Sequence, residues 1–533
     1  MEAARRADQA LAFERAAELY GIALDLVAQL GTRELPDPSL DVAEVRVLRA
    51  DALRNAGRGA EAARTYLAAA SETPRERALR LRRLAGEQYL LSGHVEEGLA
   101  VARTILHEFG MTVPENTALV LAEFFLRRAQ LRVRGLHFQP RDPAALEEER
   151  LELLDLLWAV AGGLAMIEPL KGGIFQARHL LMALELGDVN RVARAVMMEV
   201  PFSATAGVPN RSRTAELERV GGELAARAPD DYTEGLFHET RGGAAWLEGR
   251  WRDALADEER GVSIHRARCT GVAWETTIGT IVLLDVLWRT GRWRELFDRY
   301  PALLADATSR GDLLLEIYVR VKFRSLTYLA HDRPDEASRE GREALARWSQ
   351  RNYTLLHLWQ LFGAVEAHLY AGRAEAARQH LASQWPTMLR SQLLRVQAYA
   401  VTMHDLRGRV ALACAAEARG RARRELVKEA ERAAGTLERI PAPWARGLVT
   451  TLRAGVAAAK DDARRAARLF ARAEDELTSA DMELHAKVAR ARRAALERDE
   501  RARAVVLRWI EDLGVARAEP WTALMAPGRY EDR

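Results

Sequence analysis

The amino-acid sequence predicts an all-α protein, an elongated solenoid of antiparallel helix hairpins. The first observation is a short recurring phrase, a Gly or Asp followed in its clearer copies by an acid four residues later and a small or apolar residue five later. The second is that no useful length of the chain alternates apolar and polar residues as a half-buried strand does. The third is the length, because 533 residues exceed what a single compact core accommodates.

The phrase is clearest in two tryptophan-rich stretches, WLEGRWRDAL at 246–255 and WRTGRWRELF at 288–297. The central glycine of each stretch is taken as its anchor. From residue 249 onward, four successive anchors are spaced forty to forty-two residues apart, which favours a structural repeat over coincidence. The eight anchors are Gly57, Gly93, Gly187, Gly249, Gly291, Asp332, Gly372 and Asp461.

Each anchor is interpreted as the joint between the two helices of a hairpin. Gly or Asp tolerates the left-handed backbone that ends the first helix, and an acid in the first turn of the next helix favours its dipole. Tryptophans flank two of the joints. We expect them to cap the apolar interior of their hairpins rather than to hold a ligand. They are Trp246, Trp251, Trp288 and Trp293.

The Gly-x-x-x-Glu-Ala phrase after an aromatic helix, followed by another aromatic residue and Ala, resembles the tetratricopeptide repeat. That repeat usually has a period of about 34 residues, whereas the period here is near forty. The resemblance implies that the hairpins stack into a right-handed superhelix with a concave groove, the surface by which such proteins bind their partners.

Four stretches rich in Gly, Pro and small polar residues are expected to be turns that separate packing blocks. These stretches are 31–40, 138–150, 201–213 and 439–447. The expected blocks are N-terminal tetratricopeptide-like hairpins (1–137), a central helical block (138–213), a regular repeat array (214–438) and C-terminal capping hairpins (439–533).

Composition and charge exclude several classes of function. The 79 basic residues nearly balance the 76 acidic ones, so nothing in the overall charge favours binding to nucleic acid or to an anionic membrane. The two cysteines, Cys269 and Cys414, lie far apart and suggest a reducing cytoplasm. The N-terminus has no signal-peptide pattern, and the uncharged stretch 156–167 is shorter than the ~20 residues that span a bilayer. We therefore expect a cytoplasmic protein that is not in a membrane.

A search for catalytic and cofactor motifs finds none. The GRGAEA stretch at 57–62 mimics a dinucleotide fingerprint but has no strand before it. No phosphate-binding loop, protein-kinase motif, HExxH or GxSxG is present. An all-α enzyme such as a terpene cyclase would need paired acidic metal motifs, which are not found. The sequence therefore predicts no enzyme activity, no catalytic residues, no cofactor and no metal.

The segment 158–200 is unusual for a plain repeat, because cations surround an apolar pair of helices. Gly162 and Gly163 would allow close helix approach, and Gly172 and Gly173 are expected to form a turn before a helix that starts near residue 175. One interpretation is a buried hinge whose arginines pair with acids at 185 and 199. The other is a partner or anion site. Its candidate residues are Arg178, His179, Arg191 and Arg194.

Several stretches resemble the C-terminal helical region of large bacterial serine/threonine protein kinases of the myxobacterial type. They are ALAFERAAELYGIALDL (10–26), FQARHLLMALELGD (175–188), the stretch 452–493 and WTALMAPGR (521–529). Proteins of that family carry an N-terminal kinase, a predicted signal-transduction ATPase and a long tetratricopeptide-like tail. Kinase and ATPase motifs are missing from this sequence, so the resemblance extends to the tail alone.

The resemblance implies a regulatory interaction module that binds a protein or peptide in its groove, with an upstream kinase or ATPase domain as one such partner. The alternative is the effector-sensing helical-repeat region of a transcriptional activator of the maltose-regulator type. A C-terminal helix-turn-helix would favour that alternative, and the last residues, from 508 onward, show no such pair of helices.

Overall fold

The computed structural model describes residues 1–30, 41–227, 230–349 and 351–530. The chain is 82% helical, and the described residues contain no strand. The predicted all-α solenoid of paired helices is therefore confirmed. Across the same ranges, none of the helices has the length and apolar character needed to cross a bilayer. The turn predicted at 31–40 lies outside the described residues.

The first part of the chain forms a series of helices, most of which pack against the next helix as hairpins, whereas α7 packs on α9. These helices are α1 (Glu2–Gln9), α2 (Phe13–Leu30), α3 (Val42–Asn55), α4 (Gly59–Ala70), α5 (Arg75–Leu91), α6 (Val95–Glu108), α7 (Thr117–Arg134), α8 (Glu148–Ala165), α9 (Pro169–Leu186), α10 (Val189–Ala204) and α11 (Arg211–Arg227). Short 3-10 turns, Pro143–Ala145 and Val208–Asn210, occupy two of the predicted breaks.

The second part continues the array to the C-terminus. Its helices are α12 (Asp231–Glu248), α13 (Trp251–Arg268), α14 (Ala273–Thr290), α15 (Trp293–Arg310), α16 (Leu313–Val319), α17 (Ser325–Ala330), α18 (Pro334–Leu345), α19 (Leu355–Tyr370), α20 (Ala374–Arg390), α21 (Gln397–Glu417), α22 (Gly420–Glu438), α23 (Arg446–Ala459), α24 (Ala463–Ser479), α25 (Glu483–Glu497), α26 (Glu500–Asp512) and α27 (Ala518–Met525). A π-helical turn, Arg320–Arg324, joins α16 to α17, and 3-10 turns form at Leu393–Arg395 and Pro443–Ala445.

The two helices of a hairpin differ in how much of their surface is covered. Helices α14, α19 and α21 are buried on nearly every side. Helix α24 instead buries a single stripe, Ala466, Phe470, Ala473 and Leu477, as expected for an outer helix with one face on the core. A large core runs from residue 79 to residue 530, and a smaller one holds the N-terminal hairpins together. The division into four blocks stays a prediction.

All eight predicted joints are confirmed by their backbone geometry. Each anchor has a positive φ, from +59° at Asp332 to +85° at Gly93, and separates two packed helices. The predicted acid follows in the first turn of the next helix, for example Asp253 in α13 and Glu295 in α15. The phrase missed several further joints with left-handed backbone. Three examples are Gly311, Asp481 and Arg498.

The joints also contact parts of the chain that lie far away in sequence. A Cβ added to Gly249 would be 2.2 Å from Cδ1 of Trp444, and one added to Gly291 would be 3.0 Å from Cβ of Leu484. These partners are about 190 residues away, so the array winds back and places one superhelical turn against the next. Glycine is required at Gly249 both for its φ of +78° and for this close approach.

Three of the four tryptophans at the joints are buried and Trp288 is partly buried, but their partners were not predicted. Trp251 is 1% exposed and meets Trp444 edge-on with ring centroids 5.4 Å apart. Trp293 is 2% exposed and meets Trp521 at 4.7 Å. Because Trp444 and Trp521 belong to later hairpins, these rings join two turns of the solenoid in addition to lining their own hairpin.

Two predicted boundaries in the central segment are wrong. Helix α9 starts at Pro169, so Gly172 and Gly173 lie inside the helix and do not form a turn. Proline suits the first position of a helix, and a Cβ on Gly172 would be 3.0 Å from the backbone nitrogen of Ala165, so this glycine permits contact between α8 and α9. The loop predicted from 201 begins later, because α10 continues to residue 204.

Candidate functional site

The four cations predicted as a partner or anion site do not gather into one cluster. Arg178 and His179 lie on α9, and Arg191 and Arg194 lie on α10. Arg178 turns towards α7, whereas the other three lie on the side of Asp155 in α8. Their role in binding stays a prediction, and their contacts show what each does in the fold.

Arg178 holds α7 against α9. Its Nε donates to Oε1 of Glu123 at 3.1 Å, its Nη2 forms an ion pair with the same carboxylate, and its Nη1 donates to the carbonyl of Thr112 at 3.1 Å. The guanidinium lies 5.0 Å from the centre of the Phe175 ring, and the side chain is only 9% exposed. The charge of Arg178 is therefore met by groups inside the protein.

Arg191 makes a bidentate contact with a carboxylate of the neighbouring helix. Its Nε and Nη2 each donate to the carboxylate of Asp155 at 2.9 Å, and Nη1 donates to Oδ2 of Asp188 at 2.7 Å. The hydrogen bond to Asp155 raises the pKa of Arg191. Burial is the largest single influence on Asp155 and favours a higher pKa, but the hydrogen bond from Arg191 and the charges of the nearby arginines together lower the pKa of Asp155.

His179 and Arg194 are packed against aromatic rings. His179 is 2% exposed with its ring 5.6 Å from Trp158, and burial lowers its pKa to about 3, so the imidazole is neutral. The guanidinium of Arg194 lies 4.6 Å from the centre of the Tyr232 ring. These contacts are those of core residues.

The acids expected to pair with these arginines bind other partners. Glu185 pairs with Arg150 at 2.7 Å, and Glu199 pairs with Arg128 of α7. Arg178 and Arg191 pair with carboxylates inside the protein, as the hinge interpretation expected, but these carboxylates are not Glu185 and Glu199. The actual partners lie 36 to 55 residues away from Arg191 and Arg178, on helices brought close only by the tertiary fold.

A second charged group lies in the interior, at the π-helical turn. Lys322 is 6% exposed, and its Nζ donates to Oδ1 of Asp285 at 2.5 Å. The ammonium also lies 3.5 Å from the ring centre of Trp359 and 4.4 Å from that of Trp288. Burial lowers the pKa of Lys322 to about 8. This ion pair and its rings join the inner helices α14 and α19 to the turn.

Among the described helices, α7 has the most exposed large apolar side chains. Leu119 is 63% exposed, Phe125 and Leu126 are 54% exposed, and Val133 is 90% exposed. The small exposed residues Ala122 and Ala129 lie between them. We call these side chains the α7 face. Its members are Leu119, Ala122, Phe125, Leu126, Ala129 and Val133.

The sequence and the packing explain why this face points outward. The side chain of Asn116 caps the start of α7 by accepting from Ala118 N at 2.8 Å, and Gly135, with a φ of +67°, ends the helix. Val120 and Leu131 are buried on the opposite side. Together with the ion pair between Glu123 and Arg178, these contacts fix the rotation of α7. The exposed spacing of Leu119, Ala122, Leu126, Ala129 and Val133 is that of the a and d positions of a heptad.

The third candidate site is a cavity of about 100 Å³ at the hairpin of α12 and α13. Its walls are mostly apolar, and two carboxyl groups, Glu239 and Glu258, line it. In the part of the chain that the structure describes, no group of three or more His, Cys, Asp or Glu side chains could hold a metal ion.

A scan against protein-family models and a search of curated proteins found no match. Among solved structures, the chain is similar to one titled "Crystal structure of APC/C hetero-tetramer Cut9-Hcn1", at 11% sequence identity and a TM-score of 0.40. The similarity covers 98% of this chain and 88% of that chain. A similarity at this level does not establish a shared function.

Proposed function

We propose that the protein is a non-catalytic helical-repeat module that binds a protein partner through the α7 face. The observation that carries this proposal is the exposure of four large apolar side chains along one side of a single helix. Contiguous apolar surface of this kind on a soluble protein marks an interaction site. The deeply buried inner helices, by contrast, are already covered by other parts of the chain.

The occupant that fits the α7 face is an amphipathic helix of the partner. The heptad spacing lets a second helix pack along α7, and the alanines at 122 and 129 permit close approach. Arg132 is exposed beside the face, and the guanidinium of Arg395 lies 5.7 Å from the ring of Phe125. We therefore expect acidic residues on the flanks of the partner helix.

Arg178, the first of the predicted binding residues, would act in this scheme as a positioning residue. Through Glu123 it holds α7 in the orientation that exposes the face, without itself touching the partner.

The partner that the sequence resemblance favours is a bacterial serine/threonine kinase with a fused ATPase, acting in the cytoplasm. Support comes from the stretches 175–188, 452–493 and 521–529. Binding of the module would then bias the activity of the kinase–ATPase protein. The adjacent reading frame is the first place to look for that protein.

The proposal predicts that a charge placed in the α7 face abolishes partner binding and leaves the fold intact. Leu126→Asp and Val133→Asp alter exposed positions, so the midpoint of thermal unfolding should not change. Their affinity for the purified kinase–ATPase protein, measured by calorimetry, should fall at least tenfold. Val505→Asp on α26, where the residue is 50% exposed, is the matched control and should bind normally. Equal affinity of all three variants would exclude the α7 face.

The non-catalytic part of the proposal predicts that the chain alone turns over no nucleotide. Phosphoryl transfer requires a phosphate cradle and a carboxylate-held Mg²⁺, and the sequence contains no motif for either. Purified protein incubated with Mg²⁺ and radiolabelled ATP should show neither autophosphorylation nor phosphate release above buffer. Turnover that disappears on substitution of a named acidic residue would make the protein an enzyme.

A second candidate function is effector sensing, as in the helical-repeat regions of maltose-regulator-type activators. The cavity lined by α12, α13 and α14 is the observation that favours it, because an apolar pocket with a few carboxyl groups in its wall is typical of a site for a small ligand.

A further inference from the structure

The cavity at the α12–α13 hairpin has an aromatic wall and an acidic floor. Its aromatic side chains are Phe202, Trp246, Trp274 and Tyr399, contributed by four different helices. Glu239 of α12 and Glu258 of α13 are the acids, 7% and 1% exposed. No Lys, Arg or His is among the described residues that line it. The wall therefore combines an apolar surface with two carboxyl groups, and no cationic side chain of the described residues faces the cavity itself.

Three glycines make room for the two carboxyl side chains. A Cβ on Gly242 would be 2.6 Å from Cγ of Glu258, and one on Gly261 would be 2.6 Å from Cγ of Glu239. On α14, a Cβ on Gly279 would be 3.0 Å from Oε2 of Glu258. Any larger residue at these positions would displace a carboxyl group. The acids are therefore accommodated by the backbones of α12, α13 and α14.

The two acids differ in their partners. Oε1 of Glu239 lies 2.9 Å from Nδ1 of His265, whose Nε2 lies 3.1 Å from the carbonyl oxygen of Tyr232. Because that carbonyl can only accept, Nε2 of His265 carries a proton, and the histidine and Glu239 satisfy each other.

Glu258 has no such partner. Its Oε2 is fully buried without a hydrogen bond to any of the described residues. Burial raises the pKa of Glu258 well above its usual range, and the nearby charges of Glu239 and Asp257 raise it further. A buried polar group without a partner is rare in native proteins, because it forfeits the hydrogen bonds that water would supply. A carboxyl group without a hydrogen-bond partner in the wall of a cavity indicates that a bound ligand supplies the missing hydrogen bond.

We propose that this cavity binds a small organic ammonium ion, with the ammonium group on Glu258 and the apolar body against Trp246 and Trp274. An ammonium group supplies a positive charge beside the carboxyl group of Glu258. It also donates the hydrogen bonds that this carboxyl group does not receive from the protein. Indole rings attract cations through their faces and also cover apolar carbon. A cavity of about 150 Å³ can hold a benzene ring in another protein, so a space of about 100 Å³ suits an ion of roughly four or five non-hydrogen atoms.

This inference deepens the effector-sensing candidate and is independent of partner binding at the α7 face. It is tested by calorimetry on the purified full chain with n-propylammonium and n-butylammonium as probes. n-Propanol and n-butanol are their neutral counterparts of nearly the same size. We expect saturable binding of at least one ammonium ion, at least tenfold tighter than its alcohol.

Three variants locate the site. Glu258→Gln keeps the shape of the side chain but cannot ionise when an ammonium ion binds, so ammonium affinity should fall at least tenfold while the thermal midpoint stays equal or rises. Gly243→Leu should block the cavity, because a Cβ there meets nothing closer than 3.8 Å and the rest of the side chain extends the wall inward. Gly243→Ala is the milder substitute if the Leu variant does not fold. Glu259→Gln, at the neighbouring exposed position on α13, is the matched control and should bind as the unaltered chain does.

Three results would overturn the proposal. One is the absence of saturable heat from either ammonium ion at about 10 mM, where millimolar affinity is still measurable. Another is equal affinity for the alcohols, which would exclude ammonium as the ligand class. The last is normal binding by Glu258→Gln and by the Gly243 variants, which would place the ligand elsewhere. If an ammonium ion binds in the cavity and partner capture is unchanged, the site stands and the effector role fails.

Discussion

At the scale of single residues, the cations of α9 and α10 show how charged residues that are typical of a protein surface can lie in the interior. Arg178 and Arg191 each bind a carboxylate from another helix, Glu123 and Asp155. Their residue types and spacing indicated a charged segment and its helices. Their partners could not be predicted, because each lies on a helix whose position depends on how several hairpins stack.

The α7 face was missed for a related reason. The stretch TALVLAEFFLRRAQLRVR has the periodicity of an amphipathic helix, and such periodicity predicts an apolar side without saying what covers it. Only the packing of Val120 and Leu131 shows that Leu126 and Val133 are left exposed. The burial of Glu258 could likewise not be predicted, since a Glu in an Arg/Glu-rich helix is typical of a solvated face.

A further residue-scale prediction concerns Glu275, which accepts a hydrogen bond from the hydroxyl of Tyr232 at 2.9 Å. Burial raises the pKa of Glu275 from 4.5 to about 7. Between these values the unfolded chain loses a proton that the folded chain keeps, so this residue lowers the free energy of unfolding as pH rises from 4.5 to 7. The loss amounts to about 3 kcal/mol.

Glu275→Gln cannot titrate and should not show this loss. Urea unfolding of both proteins at pH 5 and pH 8 measures their free energies of unfolding. The free energy of unfolding of the variant, relative to that of the unaltered chain, should rise between the two pH values by most of that ~3 kcal/mol. A difference between the two proteins that does not change with pH would show that Glu275 titrates normally in the folded state.

At the scale of the elements, the joints between helices are what the sequence predicts best. Left-handed backbone at a helix end depends on one residue and its immediate neighbours, and Gly or Asp followed by an acid is a local signal for it. The joints at Asp481 and Arg498 were not predicted, because their backbone is left-handed but the residues that follow do not match the rest of the phrase. The contacts that a joint makes with the next superhelical turn have no local signal.

A comparison of two joint glycines distinguishes the need for left-handed backbone at a joint from the need for close contact with the next superhelical turn. Gly249 and Gly372 have φ values of +78° and +69°, so Ala at either position is strained to a similar degree. A Cβ at Gly249 would also collide with Trp444, whereas one at Gly372 meets none of the described residues within 4 Å. We expect Gly249→Ala to lower the free energy of unfolding by about 1–3 kcal/mol more than Gly372→Ala does. Equal losses in urea unfolding would mean that the two turns do not touch at this joint.

At the scale of the whole molecule, contacts across about 190 residues turn a string of hairpins into a wound solenoid. The all-α class, the pairing of helices and the period near forty follow from patterns within one or two repeats. The winding does not, because it depends on side chains such as Trp444 and Trp521 that lie outside the clearest copies of the phrase. The winding also covers the inner helices, whereas the α7 face stays exposed.

The central claim, that the protein binds a partner through the α7 face, is tested most directly by hydrogen–deuterium exchange. The full chain is compared with and without the kinase–ATPase protein, and exchange is read peptide by peptide. We predict slowed exchange in residues 117–134 and unchanged exchange in α26 at 500–512. Protection confined to other helices, or none in 117–134 at saturating partner, would contradict the claim.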